Sequence, residues 1–332
     1  MKKIDVYGVC NPLIDLLCHI PDEFLQQWDL EKNRMYLVST DRQHSILKEL
    51  ENRSLKIEHA AGGSGANTMI GIAQLGGHSA FTGKIGFDPR GDQYRNDLED
   101  KGVKAALGAG EGMTGSSLIL VSNDGSRTMN THLGMCQELE PDDIDEKVLS
   151  STNILYLTGF LWDTESQKAS VRHALEMAEN LPVKVALSLS DPFCVERHHQ
   201  DFNELIRSRV DLLFCNQEEA FTVMETQVTQ EALAGLSENV ETVVMTLGNR
   251  GSLICNQGQI YYIDPIEVEV VDTTGAGDAY AAGFLYGFSH DQSIMNCGRI
   301  ASVMAGTVIE QIGPRIETAS MKTLKERLSN IP

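Results

Sequence analysis

The stretch Asp272-Thr273-Thr274-Gly275-Ala276-Gly277-Asp278 sets small residues, hydroxyls and two carboxylates at fixed spacing. It follows the β-branched run Val268–Val271 and precedes Ala279-Tyr280-Ala281-Ala282-Gly283-Phe284, whose Ala/Phe face favours a helix. The expected local structure is a strand, a tight turn and a helix start. Backbone N–H groups in the first helical turn lack intrahelical partners and, with the helix dipole, attract anions. Gly275, Ala276 and Gly277 expose that backbone without bulk, so a phosphate can approach it. Asp278, at the same helix start, can accept the proton of a hydroxyl that attacks phosphorus in line.

Other polar groups recur after apolar runs. Asn11 and Asp15 follow Ile4–Val9, and an Asn and an Asp at that spacing can bind adjacent hydroxyls. Gly62-Gly63-Ser64-Gly65-Ala66-Asn67 opens a helical pattern, with the glycines expected to admit a substrate and Asn67 offering both donor and acceptor. Asn216-Gln217-Glu218-Glu219 follows Leu212–Cys215, where an Asn and a Glu suit a hydrated Mg²⁺. Two Gly-rich matches fail on context. Gly110-Glu111-Gly112-Met113-Thr114-Gly115 spells a dinucleotide fingerprint but leads into a hairpin, leaving pyrophosphate no helix N-terminus. Gly83-Lys84 lacks the Ser or Thr that a P-loop places after its lysine.

The elements that must position these groups alternate in type. Strands are expected at Ile4–Val9, Ser79–Ile85, Ile154–Thr158, Val183–Leu189, Leu212–Cys215 and Thr242–Leu247. Helical patterns fall at Ala66–Gln74, Ser166–Glu179 and Phe202–Arg207. That alternation predicts an α/β fold, doubly wound, with a mostly parallel central sheet and helices on both faces. Residues 1–332 are expected to form one such domain. Segments at about 13–38 and 115–134 break the rhythm with short polar-alternating strands. Asn123-Asp124-Gly125-Ser126 between Ser117–Val121 and Thr128–Thr131 signals a hairpin. These insertions are expected to pair as a small β-lid over the ligand crevice of the sheet.

Composition narrows the function classes. With 27 basic and 47 acidic residues, the formal charge is −20, which repels nucleic acid where no basic stripe offsets it. No apolar run is long enough to span a membrane. Met1-Lys2-Lys3-Ile4-Asp5 reads as a first strand rather than a secretory signal, so a cytoplasmic location is expected. The seven cysteines are odd in number and widely spaced, which predicts reduced, buried thiols. His198-His199 lacks partners at metal-ligand spacing.

The seven-residue stretch resembles the C-terminal signature D-T-x-G-A-G-D of the ribokinase-like (PfkB) family. Gly62–Asn67, Ala73-Gln74-Leu75-Gly76 and Gly83-Lys84-Ile85-Gly86-Phe87-Asp88-Pro89-Arg90-Gly91 resemble its N-terminal signature, so the likeness spans nearly the whole chain. It implies an ATP-dependent kinase. Asp278 would be the base and Gly275, Ala276 and Gly277 the anion site. Asn216 and Glu219 would place Mg²⁺ through water, with Asn216 also beside ATP. Thr246, Gly248 and Gly251, in a T-x-G-x-x-G turn, would lie beside the nucleotide. Asp272 and Thr274 match positions that hold K⁺ in some relatives.

Within the family, Gly8-Val9-Cys10-Asn11-Pro12-Leu13-Ile14-Asp15 and His59-Ala60-Ala61-Gly62-Gly63-Ser64 are similar to the adenosine-kinase branch. There Asp15 would hold the ribose hydroxyls, with Asn11, Gly62, Gly63, Ser64 and Asn67 completing the acceptor site. Arg127 matches a lid arginine that closes over the transferred phosphate. Departures at Gly65-Ala66-Asn67 and Ser188-Leu189-Ser190-Asp191-Pro192-Phe193 look more like sugar kinases. Trp28, Tyr36, Phe160 and Trp162 are the aromatic candidates for a purine. The expected acceptor is adenosine, with ribose or fructose as the alternative and a non-catalytic binding module as the third. The expected protein is a monomer or homodimer.

Overall fold

A computed structural model describes residues 3–32 and 34–331. Its central sheet has nine strands, built outward from Ile4–Val9, which is buried along nearly its whole length. On one side lie Ser79–Thr82 and Lys104–Ala105. On the other lie Thr152–Thr158, Lys184–Ser188, Leu212–Asn216 and Thr242–Thr246, all parallel to it. Ser252–Asn256 and Gln259–Ile263 then extend the sheet antiparallel to its edge. The parallel strands read as continuous apolar runs because helices cover both faces. One core layer contains Met69, Phe214 and Phe284, and the other Leu157, Val171 and Phe202. The doubly wound, mostly parallel α/β arrangement expected from the alternation is the one observed.

A second sheet carries five strands in the order Met35–Leu37, Arg127–His132, Gly115–Val121, Leu13–His19, Ile57–Gly62. The hairpin around Asn123–Ser126 pairs Arg127 with Val121 and Thr131 with Ser117. The first inserted segment is not all strand. It holds the helix Asp22–Gln27, whose Phe24 and Leu25 are buried. The edge strand Ile57–Gly62 comes from outside both inserted segments and pairs antiparallel with Leu13–Cys18.

Val268–Val271 forms no strand. Val270 and Val271 are exposed, and the segment is tied to the body through the Val271 and Asp272 N–H groups, which donate to Ile309 O. β-branched residues favour a strand only where a neighbouring strand packs on them, and among the described residues no strand pairs with this run. Ser79–Ile85 is likewise interrupted: Gly83 separates Ser79–Thr82 from Lys84–Gly86. A Cβ at Gly83 would sit 2.4 Å from Cys10 O. The helix expected after the Gly-rich turn runs over Ala276–Ser289 and packs on the helices Ser64–Gln74 and Ile294–Val308. All seven cysteines are free and buried. Among the described residues, no helix is long and apolar enough to cross a membrane.

Candidate active site

Helix Ala276–Ser289 begins at Gly275, whose φ of 76° is left-handed and whose Cβ would lie 2.4 Å from Pro314 O. Only glycine fits there. No side chain caps this helix start. A Cβ at Gly277, by contrast, would meet nothing within 4 Å, because that face opens on a cavity of about 820 Å³. At Gly277 the helix start therefore presents bare backbone to a large void.

Asp278 projects from the same turn. Ser64 Oγ donates to its Oδ1 at 2.5 Å and Asn67 Nδ2 to its Oδ2 at 2.9 Å. Burial pushes its carboxyl up to about 6 against these hydrogen bonds and the nearby Arg315 charge. Ser64 and Asn67, expected on the acceptor, thus hold Asp278 while also lining the cavity.

Asp15 lies on strand Leu13–His19 of the five-stranded sheet and faces the same cavity. Burial raises its carboxyl to about 7, opposed by Arg315 and Arg127 and reinforced by Asp278. Gly62 is explained by this carboxylate rather than by substrate approach: a Cβ there would stand 2.1 Å from Asp15 Oδ2. Gly63 is likewise required by Asn11, whose carbonyl would lie 2.6 Å from its Cβ. The Asn11 side chain is held in place, its Oδ1 accepting from Gln167 Nε2 at 2.6 Å and its Nδ2 donating to Phe160 O.

On the opposite side, Asn216 and Glu219 form a capping box at the start of helix Gln217–Met224. Glu219 Oε2 accepts from Asn216 N and Oε1 from Asn216 Nδ2, while Asn216 Oδ1 accepts from Glu219 N. Glu219 is buried, which raises its carboxyl to about 7. Thr246 and Thr274 also line the cavity. Gly62, Gly248, Gly251, Arg127 and Asp272 do not. Gly248 and Gly251 shape the turn after Thr246, both at positive φ.

Arg127, just after the hairpin turn and paired with Val121, makes an ion pair with Asp272 instead of reaching into the cavity. Asp272 Oδ1 accepts from Thr274 N and Oγ1, and its Oδ2 from Gly313 N as well as Arg127. Burial works against ionisation here, but these donors hold the carboxyl below its ordinary value. Both oxygens of Asp272 are thus engaged by these donors.

Of the four aromatic candidates, only Phe160 lines the cavity. Trp162 packs on Phe202, Trp28 on Phe24, and the Tyr36 hydroxyl accepts from Glu31 N. Phe193, which the sequence reading did not select, lines the cavity and stacks under the Arg34 guanidinium at 5.0 Å. Arg315 was missed as well. Its only signal in the sequence is a cation in a Gly-Pro turn of an acid-rich chain.

Residues 31–320 match the pfkB family of carbohydrate kinases. Solved structures of a probable sugar kinase from Rhizobium etli CFN 42 and of the adenosine kinase from Sinorhizobium meliloti are each 35% identical. Both superpose with TM-score 0.90 over 98% of this chain and 99% of their own. The adenosine kinase of Dictyostelium discoideum is 25% identical over 97% of this chain and 99% of its own. The chain belongs to the pfkB family. It is accordingly a nucleoside or sugar kinase, a phosphotransferase with an alcohol acceptor and ATP as co-substrate.

Proposed function

We propose that this kinase transfers the γ-phosphoryl group of ATP to the 5′-hydroxyl of a nucleoside, adenosine first, with Asp278 as the base. The observation that carries the acceptor is the cavity wall on the lid side. Leu13, Met35, Leu37, Ile119, Met129 and Leu133 line the same cavity as Asp15 and Asp278. A free sugar bears hydroxyls around its whole ring, and each one buried there without a partner costs about 1–3 kcal/mol. A nucleoside divides its chemistry in the way this wall does. The ribose diol meets Asp15, and the flat base meets the aliphatic wall with Phe160 and Phe193.

The roles follow from position. The uncapped start of helix Ala276–Ser289 receives the phosphate through its N–H groups. Asp278, at about 6, is ionised at neutral pH yet still basic enough to take the hydroxyl proton. Ser64 and Asn67 fix the carboxylate while that proton arrives. Asp15, held near 7 in the free protein, gains charge stabilisation when a diol donates to it.

The residues present fit Mg²⁺ bound through water. Each Glu219 oxygen accepts one hydrogen bond from Asn216, leaving lone pairs for the waters of a hydrated ion. When bound, the ion supplies charge neutralisation of the phosphates, which an acid-rich chain otherwise lacks. Arg127 links the lid to the loop ahead of the anion site through Asp272 and acts as the closing contact of the lid.

Free sugar as acceptor is favoured by one observation: of the aromatic rings that line the cavity, Phe214 packs edge-on against Tyr156 and Phe284 in the core, which leaves no stacked pair of rings ready to sandwich a base. ADP release with adenosine, 2′-deoxyadenosine, ribose and fructose decides between the two. The nucleoside reading expects adenosine to lead and the deoxy analogue to fall by about 5- to 150-fold, since it leaves Asp15 partly unpaired. Fructose or ribose outpacing every nucleoside would overturn it and leave the kinase standing. Absence of turnover with all four, despite tight ATP binding, would favour a binding module.

A further inference from the structure

Asp15 and Asp278 reach the same cavity, and the charge of Asp278 opposes ionisation of Asp15. Of the two cations that act on Asp15, Arg127 and Arg315, only Arg315 also acts on Asp278. Arg315 follows Gly313-Pro314 and is largely covered, with 17% of its side chain exposed. Its Nη1 donates to Asp97 Oδ2 at 2.8 Å, on helix Pro89–Asp100. Its Nε donates to Asn67 Oδ1 at 2.9 Å.

That second bond decides which way the Asn67 amide faces. An amide has one accepting and one donating end. With Oδ1 turned to the guanidinium, Nδ2 is turned to Asp278 Oδ2, at 2.9 Å. The reverse orientation would set two donors together at Arg315 and two acceptors together at Asp278. The chain Asp97–Arg315–Asn67–Asp278 therefore has a single consistent donor order.

We infer that Arg315 is the positioning residue of the phosphoryl-transfer site: through Asn67 it aims an amide donor at Asp278 and so keeps that carboxylate ionised and fixed. This rests on the reading of Asp278 as base. The other groups that face Asp278 cannot substitute. Ser64 donates to the other oxygen, Cys10 and Tyr156 are buried neutral groups, and Asp15 carries the wrong sign. Asp97 is the outer anchor that orients the guanidinium.

The test is the pH profile of kcat/KM, taken with the best acceptor among adenosine, ribose and fructose, for Arg315→Met, Arg315→Lys and Arg315→Gln. Loss of a nearby positive charge raises a carboxyl, so in Arg315→Met the acid limb moves to higher pH by about one unit or more. Its kcat at pH 7 falls about tenfold or more, and the KM for ATP changes by less than about twofold. Arg315→Lys returns the limb toward its original position but not the full kcat, because one ammonium cannot make the forked contact to Asn67 and Asp97. Should Arg315→Met fail to fold, Arg315→Gln carries the test, with a shift in the same direction because it loses the same charge. An unmoved acid limb in folded Arg315→Met, or in Arg315→Gln where only that variant folds, overturns the inference. Asp278→Asn is assayed alongside. If it stays active, the base reading fails; if it is inactive while the Arg315 variants keep the original profile, only the role of Arg315 fails.

Discussion

Gly277 gives the sharpest separation of function from stability. It lies in the first turn of helix Ala276–Ser289, and a methyl group there would find no atom within 4 Å. In the free protein Gly277→Ala is therefore sterically silent. Replacing a helical Gly by Ala also removes unfolded-state freedom, which contributes up to about 0.5–1 kcal/mol of stability. For a chain of this size that is a rise in Tm of about 1–3 °C. The void the methyl enters is the space proposed for the γ-phosphate. A Cβ there holds the phosphate off the backbone N–H groups, and loss of one such contact typically costs on the order of 10²-fold in rate. The expected result is a variant as stable as the parent or more so, with kcat/KM for ATP lowered about 10²-fold. Thermal unfolding and an ADP-release assay on one preparation measure both. Unchanged kinetics would refute the anion site at this helix start. A parallel loss of stability and activity would show that Gly277 is structural, as Gly275 is, where the Cβ meets Pro314.

Three further outcomes follow from the same geometry. Arg127→Ala breaks the lid's ion pair with Asp272 and should lower kcat more than it weakens acceptor binding by titration calorimetry; equal losses would make Arg127 an ordinary fastening. Glu219→Gln sets a donor against the Asn216 donors and should cost about 1–3 kcal/mol of stability. It should also raise the Mg²⁺ concentration at half-maximal rate, and an unchanged Mg²⁺ dependence would reduce the pair to a helix cap. The carboxyls of Asp15, Glu219 and Asp278 lie at about 7, 7 and 6 in the folded state, above their unfolded values. Their stabilising contribution is therefore complete below the unfolded values and is lost as pH rises through about 6–7. The ligand-free protein should melt higher at about pH 5.5 than at pH 8, and the opposite order in a melting series would contradict the burial of these groups.

What could be read from sequence depended on how locally each feature is encoded. The proposed anion site and base are contiguous, so Gly275–Asp278 declared the helix start and pointed to the chemistry. The parallel strands were legible as apolar runs because both faces of the sheet are covered. Asn216–Glu219 was legible as a spacing, but the same spacing makes a capping box, and only coordinates reveal that both carboxylate oxygens already hold Asn216. Val268–Val271 misled because β propensity reports the expected neighbours of a residue, and among the described residues no strand pairs with this run. Glycines 62 and 63 were recognisable as necessary, yet the groups that require them, the Asp15 carboxylate and the Asn11 carbonyl, are brought there by the lid strand. Arg315 was invisible because it meets Asn67 across 248 positions of sequence, and no local pattern announces such a contact.

The central claim is that Asp278 takes the proton of the acceptor hydroxyl. Asp278→Asn keeps the shape of the side chain and its place beside Ser64 and Asn67 while removing the basic oxygen. Turnover of this variant, measured as ADP release with the best acceptor while ATP binding is followed by titration, tests the claim most directly. The account predicts a fall in kcat on the order of 10²-fold or more, with ATP affinity retained. Near-normal turnover in the folded variant would contradict it.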